Sequence, residues 1–345
     1  MKLNRILLLG IFAIITSFKG ENKKPIEIKL QQPVHALAGD TISEIDGSIR
    51  CIFQDSKNNY WFTTDGQGIL KYDGKNISRF TTKHGLCNDF VWNVWESADG
   101  KIWLKTRDAI CYFDGMTFTT VKPEDNALQD KNSNYTNDLL LVDHYYTGKL
   151  LVKIPLPHTS PINPTTDFHF EYDIFATCKD RKGNIWLGTC NKGVCVYDGK
   201  NYTWINNKEL KPAVRAIFED KNGVIWIGNN GEGLFKYENG ILVNFSKEKK
   251  LHNYDLEKYP LGKEGMMSRV WTITDDAQGN LWIGTIDNGV WKSDGKTVTN
   301  YTTKNGLLID AIWTIYKDKK GELWFGTDGD GVYKFNGTLF EKFKL

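Results

Sequence analysis

The sequence predicts an all-β chain folded as a seven-bladed β-propeller of four-stranded antiparallel blades, and three observations predict it. One phrase recurs: WFTTDGQGILKYDG from Trp61, WLGTCNKGVCVYDG from Trp186, WIGNNGEGLFKYENG from Trp226, WIGTIDNGVWKSDG from Trp282 and WFGTDGDGVYKFNG from Trp324. A polar residue stands six positions ahead of each repeated Trp: Asp55 and Trp61, Ser97 and Trp103, Asp180 and Trp186, Asp220 and Trp226, Asp276 and Trp282, Asp318 and Trp324. The composition, 13% aromatic with 32 Gly against 9 Pro and 4 Met, suits short strands joined by tight turns.

Each copy divides into the same four strands. The first reads IRCIFQ, VWNVWE, IFATCK, VRAIFE, VWTITD or IWTIYK. A turn such as Asp318-Lys319-Lys320-Gly321, with Asp first and Gly fourth as a type I turn favours, leads to a second strand centred on Trp. The DGDG-type turn leads to a third strand, and an Asn-Gly or Asp-Gly turn, a strong hairpin signal, to a fourth. Between Trp103 and Trp186 the period doubles; LLLVDHYYTGKLLV fits the frame there, with Gly148 at the turn and Leu151 in the Trp place, which makes a seventh cassette. A four-stranded unit of about 40 residues cannot bury both faces alone, so neighbours must stack, and that period is a propeller's. The blades follow in chain order, so the ring is expected to close by face packing without a shared blade.

Residues 1–20 read as a signal peptide: Lys2 and Arg5 precede the apolar run Ile6 to Phe18, which is short for a membrane span. Cleavage is expected between Ser17 and Gly20, with an uncleaved anchor as the alternative because no Ala-x-Ala site is present. Residues 21–48 form an N-terminal segment able to add an edge strand, and 49–345 the propeller. The localisation expected is therefore periplasmic or secreted. Among the six cysteines, Cys190 and Cys195 flank one turn and are the pair best placed for a disulfide; the other reading is that all six are small buried hydrophobes.

With 44 basic and 42 acidic side chains, the chain has no electrostatic footprint for nucleic acid. The DGDG turns vary as NGEG, CNKG and IDNG, so Cys190 and Lys192 fall where an oxygen-rich calcium cage needs ligands. A strand follows each Gly-x-Gly, whereas a phosphate loop needs a helix. No cofactor and no metal are expected.

Function is expected on the face that carries the inter-blade loops and the turns between second and third strands. Two inter-blade loops are expanded there, Lys122 to Asn137 and Ser246 to Ser268, and long loops on a rigid scaffold are where binding resides. The second position of the first strands reads Arg50, Trp92, Leu140, Phe175, Arg215, Trp271 and Trp313 around the ring. If it lines the channel mouth, it offers apolar platforms for sugar or aromatic rings and guanidinium forks for carboxylate or sulfate. If it points between blades, these residues are packing.

DKKGELWFGTDGDGVYKF, DRKGNIWLGTCNKGVCVYDG, TTKNGL from Thr302 and TTKHGL from Thr81 resemble the two-component regulator propeller repeats of the periplasmic sensor regions of bacterial hybrid histidine kinases. The resemblance implies recognition of an extracellular ligand, often a glycan fragment, with a following domain and membrane helix passing on the signal. This chain ends at Leu345, directly after its last strand, so a membrane sensor partner is expected to receive that signal. The function expected is a non-catalytic sensory propeller that binds a carbohydrate-like or other small molecule through Arg50, Trp92, Phe175, Arg215, Trp271 and Trp313. Two alternatives are a protein-binding scaffold and a propeller lyase or hydrolase using Glu232 and Asp330 as acid and base.

Overall fold

The computed structural model describes residues 38–121, 139–142, 152–155, 174–205, 208–211, 213–252 and 263–345. The signal-peptide reading, the loop 122–137 and the centre of the loop 246–268 lie outside the described residues. Antiparallel four-stranded sheets in sequential strand order form six blades, at 49–80, 91–121, 174–205, 214–244, 270–301 and 312–342, numbered 1 to 6 here. Among the described residues the architecture is thus a propeller of six blades, not seven. Where the seventh was expected there is a two-stranded sheet, Leu139–Val142 paired with Val152–Pro155. Two apolar runs at the repeat's spacing, with Gly148 at the turn and Leu151 in the Trp place, were enough to suggest a cassette. The turn Asp, the Trp and the Gly-x-Gly that mark a second and third strand are all missing, and prolines at 155, 157, 161 and 164 remove the N–H donors that further strands need.

The first strands, Ile49–Gln54, Val91–Glu96, Ile174–Lys179, Val214–Glu219, Val270–Asp275 and Ile312–Lys317, form the inner wall. Ile49–Gln54 packs against both Val91–Glu96 and Ile312–Lys317, so the last blade meets the first. Their first residues are fully buried in blades 1, 2, 4, 5 and 6: Ile49, Val91, Val214, Val270 and Ile312. The close fit between blades explains the Gly of the Gly-Thr pair. A Cβ on Gly326 would lie 2.6 Å from Thr314 Cγ2 and 2.9 Å from Ile49 Cγ2 of the first blade.

The first and last blades meet by face packing, and the N-terminal segment reinforces that seam. Asp40–Ile42 adds a fifth strand to the outer edge of blade 1, pairing with Ile77–Phe80, and the chain then crosses to blade 6 through bridges Glu44 to Lys344 and Gly47 to Asp330. Lys342 Nζ lies 3.1 Å from Glu44, 2.9 Å from Asp46 and 2.9 Å from Asp330. On the opposite face, Tyr60 Oη donates to Asp318 Oδ2 at 2.6 Å across the same seam.

The spacing of Asp and Trp has a chemical reason. In five blades the indole Nε1 donates to the Asp carboxylate, at 2.9 Å for Trp61, Trp186 and Trp282 and 3.0 Å for Trp226 and Trp324. The other carboxylate oxygen accepts backbone N–H groups of the turn, as Asp318 does from Lys320 and Glu322, both at 2.9 Å. One residue therefore ties the turn to the indole. In blade 2 the Asp is Ser97, too short to reach, and the buried Nε1 of Trp103 has no partner.

All six cysteines are free thiols, so Cys190 and Cys195 form no disulfide; Cys51, Cys111 and Cys195 are buried as the hydrophobe reading expects, while Cys87, Cys178 and Cys190 are only partly buried. The two lie on either side of a turn that is closed by its own hydrogen bonds, Thr189 N–H to the Gly193 carbonyl at 3.0 Å and Thr189 Oγ1 to the same oxygen at 2.8 Å. Burial pushes the Cys51 thiol up to about 12 and the Cys178 and Cys195 thiols up to about 11, as expected for packing groups.

Candidate ligand-binding site at the mouth of the ring

The second residue of every first strand sits at a β-bulge. In all six blades the register against the second strand slips between the first and third positions: Ile49/Cys51, Val91/Asn93, Ile174/Ala176, Val214/Ala216, Val270/Thr272 and Ile312/Thr314. The residue in between has no ladder partner, and a bulge re-aims its side chain out of the alternation. Those residues are Arg50, Trp92, Phe175, Arg215, Trp271 and Trp313. The first strand position pairs with the last residue of the second strand, as Ile49 does with Thr64, so the bulges lie at the end of the ring that carries the turns between second and third strands.

Five of the six form one continuous stack. The Arg215 guanidinium lies between Phe175 and Trp271, with its carbon 3.8 Å and 4.7 Å from the ring centroids. Trp271 meets Trp313 edge to face at 4.6 Å and an interplanar angle of 70°. Arg50 then covers Trp313 at 4.0 Å and pairs with Asp65 at 2.6 Å. Each guanidinium–ring contact is worth roughly 0.5 to 2 kcal/mol, more where water is excluded. Trp92 is half-buried, with Lys105 Nζ 5.9 Å from its ring. The position is therefore neither an open platform nor packing between blades: the side chains converge, but largely consume one another's faces, leaving Phe175 only 7% and Trp271 and Trp313 only 8% exposed. Leu140 lies on a described strand whose side chains are not described.

Beneath this stack runs a cavity of about 580 Å³, lined by first strands of all six blades through residues such as Cys51, Val94, Ala176, Ile217, Ile273 and Ile315. Arg215 and Trp271 belong to both stack and cavity, while Lys179, Glu219 and Lys317 line it at the other strand ends. Its size lies within the range of small-molecule sites.

Polar groups around the mouth come from the turns. Asn230 Oδ1, in the turn of blade 4, accepts from Trp271 Nε1 at 3.3 Å and from Arg269 Nε at 3.1 Å. In the turn of blade 5, Asp287 has a side chain only 4% exposed, and the nearest cationic group is Arg269 Nη1 at 3.9 Å. The Asn288 side chain and Arg269 are the polar groups that face its carboxylate. Burial raises its pKa, with Asn288 and Arg269 opposing the rise. Asp287 was not singled out in the sequence; its only signal was an acid one place later in its turn than Asp65 and Asp328 in theirs.

Glu232 and Asp330 are committed elsewhere. Glu232 lies 3.0 Å from Lys247 Nζ and 3.1 Å from His252 Nε2, and Asp330 holds Lys342 and the Tyr333 hydroxyl. Among the described residues no cluster of His, Cys, Asp and Glu is placed to hold a metal ion.

The sequence profile of the two component regulator propeller matches residues 43–66, 170–191, 210–231, 267–287 and 306–329. No curated protein sequence matches the chain. Among solved structures, the chain is similar to the extracellular domain of BT4673 from B. thetaiotaomicron, described with one structure as a one component system and with another as a hybrid two component system. One structure of that domain aligns at TM-score 0.56 and 19% identity over 86% of this chain and 40% of that one, so this chain spans about two fifths of its length. YCF48 from Cyanidioschyzon merolae aligns at TM-score 0.53 and 14% identity over 86% of this chain and 97% of that one. At these identities the structural likenesses speak for the fold. Among the described residues no helix is long and apolar enough to cross a membrane.

Proposed function

From repeats that belong to the two component regulator propeller family, we propose that this chain is an exported, non-catalytic sensory propeller. It binds a carbohydrate-like or other small molecule at the mouth of the ring and hands the signal to a membrane sensor partner. The observation that carries the reading is the bulge repeated in six first strands, which gathers Phe175, Arg215, Trp271, Trp313 and Arg50 over a cavity of about 580 Å³. A built cavity topped by cationic and aromatic groups supports a small ligand over a protein partner. Exposed large apolar side chains among the described residues, Met116, Ile241, Leu308 and Leu339 for example, fall on different blades and make no single rim. Export is supported by the likeness to an extracellular domain and by the charge and apolar pattern of residues 1–20.

The test is isothermal titration of the purified chain with neutral and uronate-containing oligosaccharides, backed by thermal shift. Removing both Trp271 and Trp313 would cost several kcal/mol of packing because both are buried and in contact. Trp271→Phe and Arg215→Ala are gentler probes. Binding by wild type that weakens at least about tenfold in both variants, each still folded by circular dichroism, is expected. Binding that neither variant alters would refute the site.

A further inference from the structure

Two of the six cysteines meet in blade 2, and ligand binding at the mouth makes no use of them. Cys87 ends the loop TTKHGLC from Thr81, which leads into the first strand of the blade, and Cys111 is the second residue of the third strand, Ile110–Phe113. The two thiols are hydrogen-bonded to each other, and the Cys87 N–H also donates to the Cys111 sulfur. Blade 6 shows that this contact belongs to the repeat. There the loop TTKNGLL from Thr302 ends at Leu308, whose N–H donates to the Tyr333 hydroxyl at 3.3 Å, and Tyr333 holds the place of Cys111 in its own third strand. In blade 2 both partners in that contact carry sulfur. Cys111 is fully buried in a cluster with Leu86, Leu104 and Phe113, and Cys87 packs against the cluster while only partly buried itself, with its sulfur 3.6 Å from Thr106 Oγ1.

We propose that Cys87 and Cys111 are a thiol-modification site, forming a reversible disulfide by exchange with a low-molecular-weight disulfide. The Cys87 thiolate attacks one sulfur of that disulfide, so that a mixed disulfide forms and one small thiolate leaves. Cys111 then gives up its proton and attacks Cys87 Sγ; the mixed disulfide breaks and the second small thiolate leaves. Two cysteine thiols are oxidised, one external disulfide is reduced to two thiols, and the two cysteine protons end on those thiols. The surroundings set the order of attack. Hydrogen bonds from the Cys111 thiol, the Thr106 hydroxyl and the Cys87 and Asn88 N–H groups outweigh burial and hold Cys87 down at about 7. Cys111 is pushed up by its hydrogen bond to Cys87 and by burial. The accessible, more acidic thiol attacks, and the buried one resolves. The bond would tie the loop 81–87 to the third strand of blade 2 directly ahead of the strand that carries Trp92.

The experiment equilibrates the folded full chain in mixtures of reduced and oxidised glutathione, quenches with an alkylating agent and maps linkages by mass spectrometry of unreduced peptides. Wild type should lose the mass of two hydrogens, yield one linked peptide pair containing Cys87 and Cys111, and melt a few degrees higher than the reduced protein. Both changes should vanish in Cys87→Ser and persist in Cys190→Ser. In the reduced protein at pH 7, iodoacetamide should modify Cys87 before Cys178 and Cys195, whose thiols burial pushes up to about 11. Cys111→Ala should slow that reaction about threefold, the loss of thiolate being partly offset by greater nucleophilicity. A linkage between any other pair overturns the proposal, as does a glutathione adduct on Cys87 that never passes to Cys111. Two thiols still free at the most oxidising ratio, or a disulfide that forms only after denaturation, overturn it equally. The wild-type map decides these outcomes even if Cys111→Ala fails to fold; unchanged alkylation in a folded Cys111→Ala removes the assigned order of attack.

Discussion

Ser97→Asp should stabilise the protein, because it supplies the one Asp–Trp hydrogen bond missing from the six blades. In the other five, the carboxylate accepts the indole N–H at 2.9 to 3.0 Å, while Trp103 Nε1 is buried without a partner. Meeting a buried orphan donor with a charged acceptor recovers roughly 1.5 to 3 kcal/mol. Against this, the Ser97 hydroxyl gives up its bonds to Asp99 and to the Lys101 carbonyl, and two carboxylates then share one turn. Asp99 is already held down at about 2 by its hydrogen bonds to Lys101 and Ser97 and by the charge of Lys101, so it stays ionised and repels the newcomer. Solvent and salt screen this repulsion between exposed carboxylates, so it trims the gain without cancelling it. The net gain is about 0.5 to 2 kcal/mol, or a rise of a few degrees at most in the melting temperature of a chain this size. Calorimetry of wild type, Ser97→Asp, Trp103→Phe and the double variant separates the causes. The gain should vanish in the Trp103→Phe background. Equal gains in both backgrounds, or a loss in the first, would refute the account of the repeat.

Gly326→Ala should cost about 1 to 3 kcal/mol, since the new methyl overlaps Thr314 and Ile49 at the seam between last and first blades. Chemical denaturation should show non-additivity with Ile49→Ala; simple additivity would mean that the seam is not tightly packed. Acid stability should follow the turn carboxylates. Burial opposes ionisation of Asp180, Asp276 and Asp318, but the indole and backbone donors, with Asn184, Asn280 and the Tyr60 hydroxyl respectively, more than offset it, so each lies below its ordinary value. A depressed folded pKa gives stability that is present above the unfolded value of about 3.9 and lost as pH falls through the folded one. Asp287 and Asp310, raised by burial, act in the opposite sense and soften the decline. Melting temperatures should therefore hold from neutral pH down to about 4.5 and fall below about 4; a decline that begins near pH 6 would place the controlling groups elsewhere.

The Asp–Trp spacing was legible because it is a local regularity, and the six blades that carry it, or Ser97 in its place, are the six observed. The seventh was misread because two apolar runs about a turn, from Leu139 to Val152, are compatible with one hairpin as well as with a blade. The positions of Arg50, Phe175, Arg215, Trp271 and Trp313 were legible as a column in the repeat. Their convergence depends on a bulge, and a bulge is defined by counting two residues against one on a partner strand, which a single strand's sequence does not record. The unpartnered Trp313 Nε1 became visible only when Asn230, which accepts from Trp271, and Ile286 could be compared as occupants of equivalent turns.

By itself the sequence determined the repeat, the strand order within each blade and the residue types available at the mouth, since turn chemistry and apolar spacing act between neighbours in the chain. Only the tertiary structure decided how many blades form among the described residues, that Arg215 spends its guanidinium between Phe175 and Trp271, and that the Trp313 Nε1 is buried without a hydrogen-bond partner. Those outcomes turn on which surfaces meet across blades tens of residues apart, where packing and burial choose the partners.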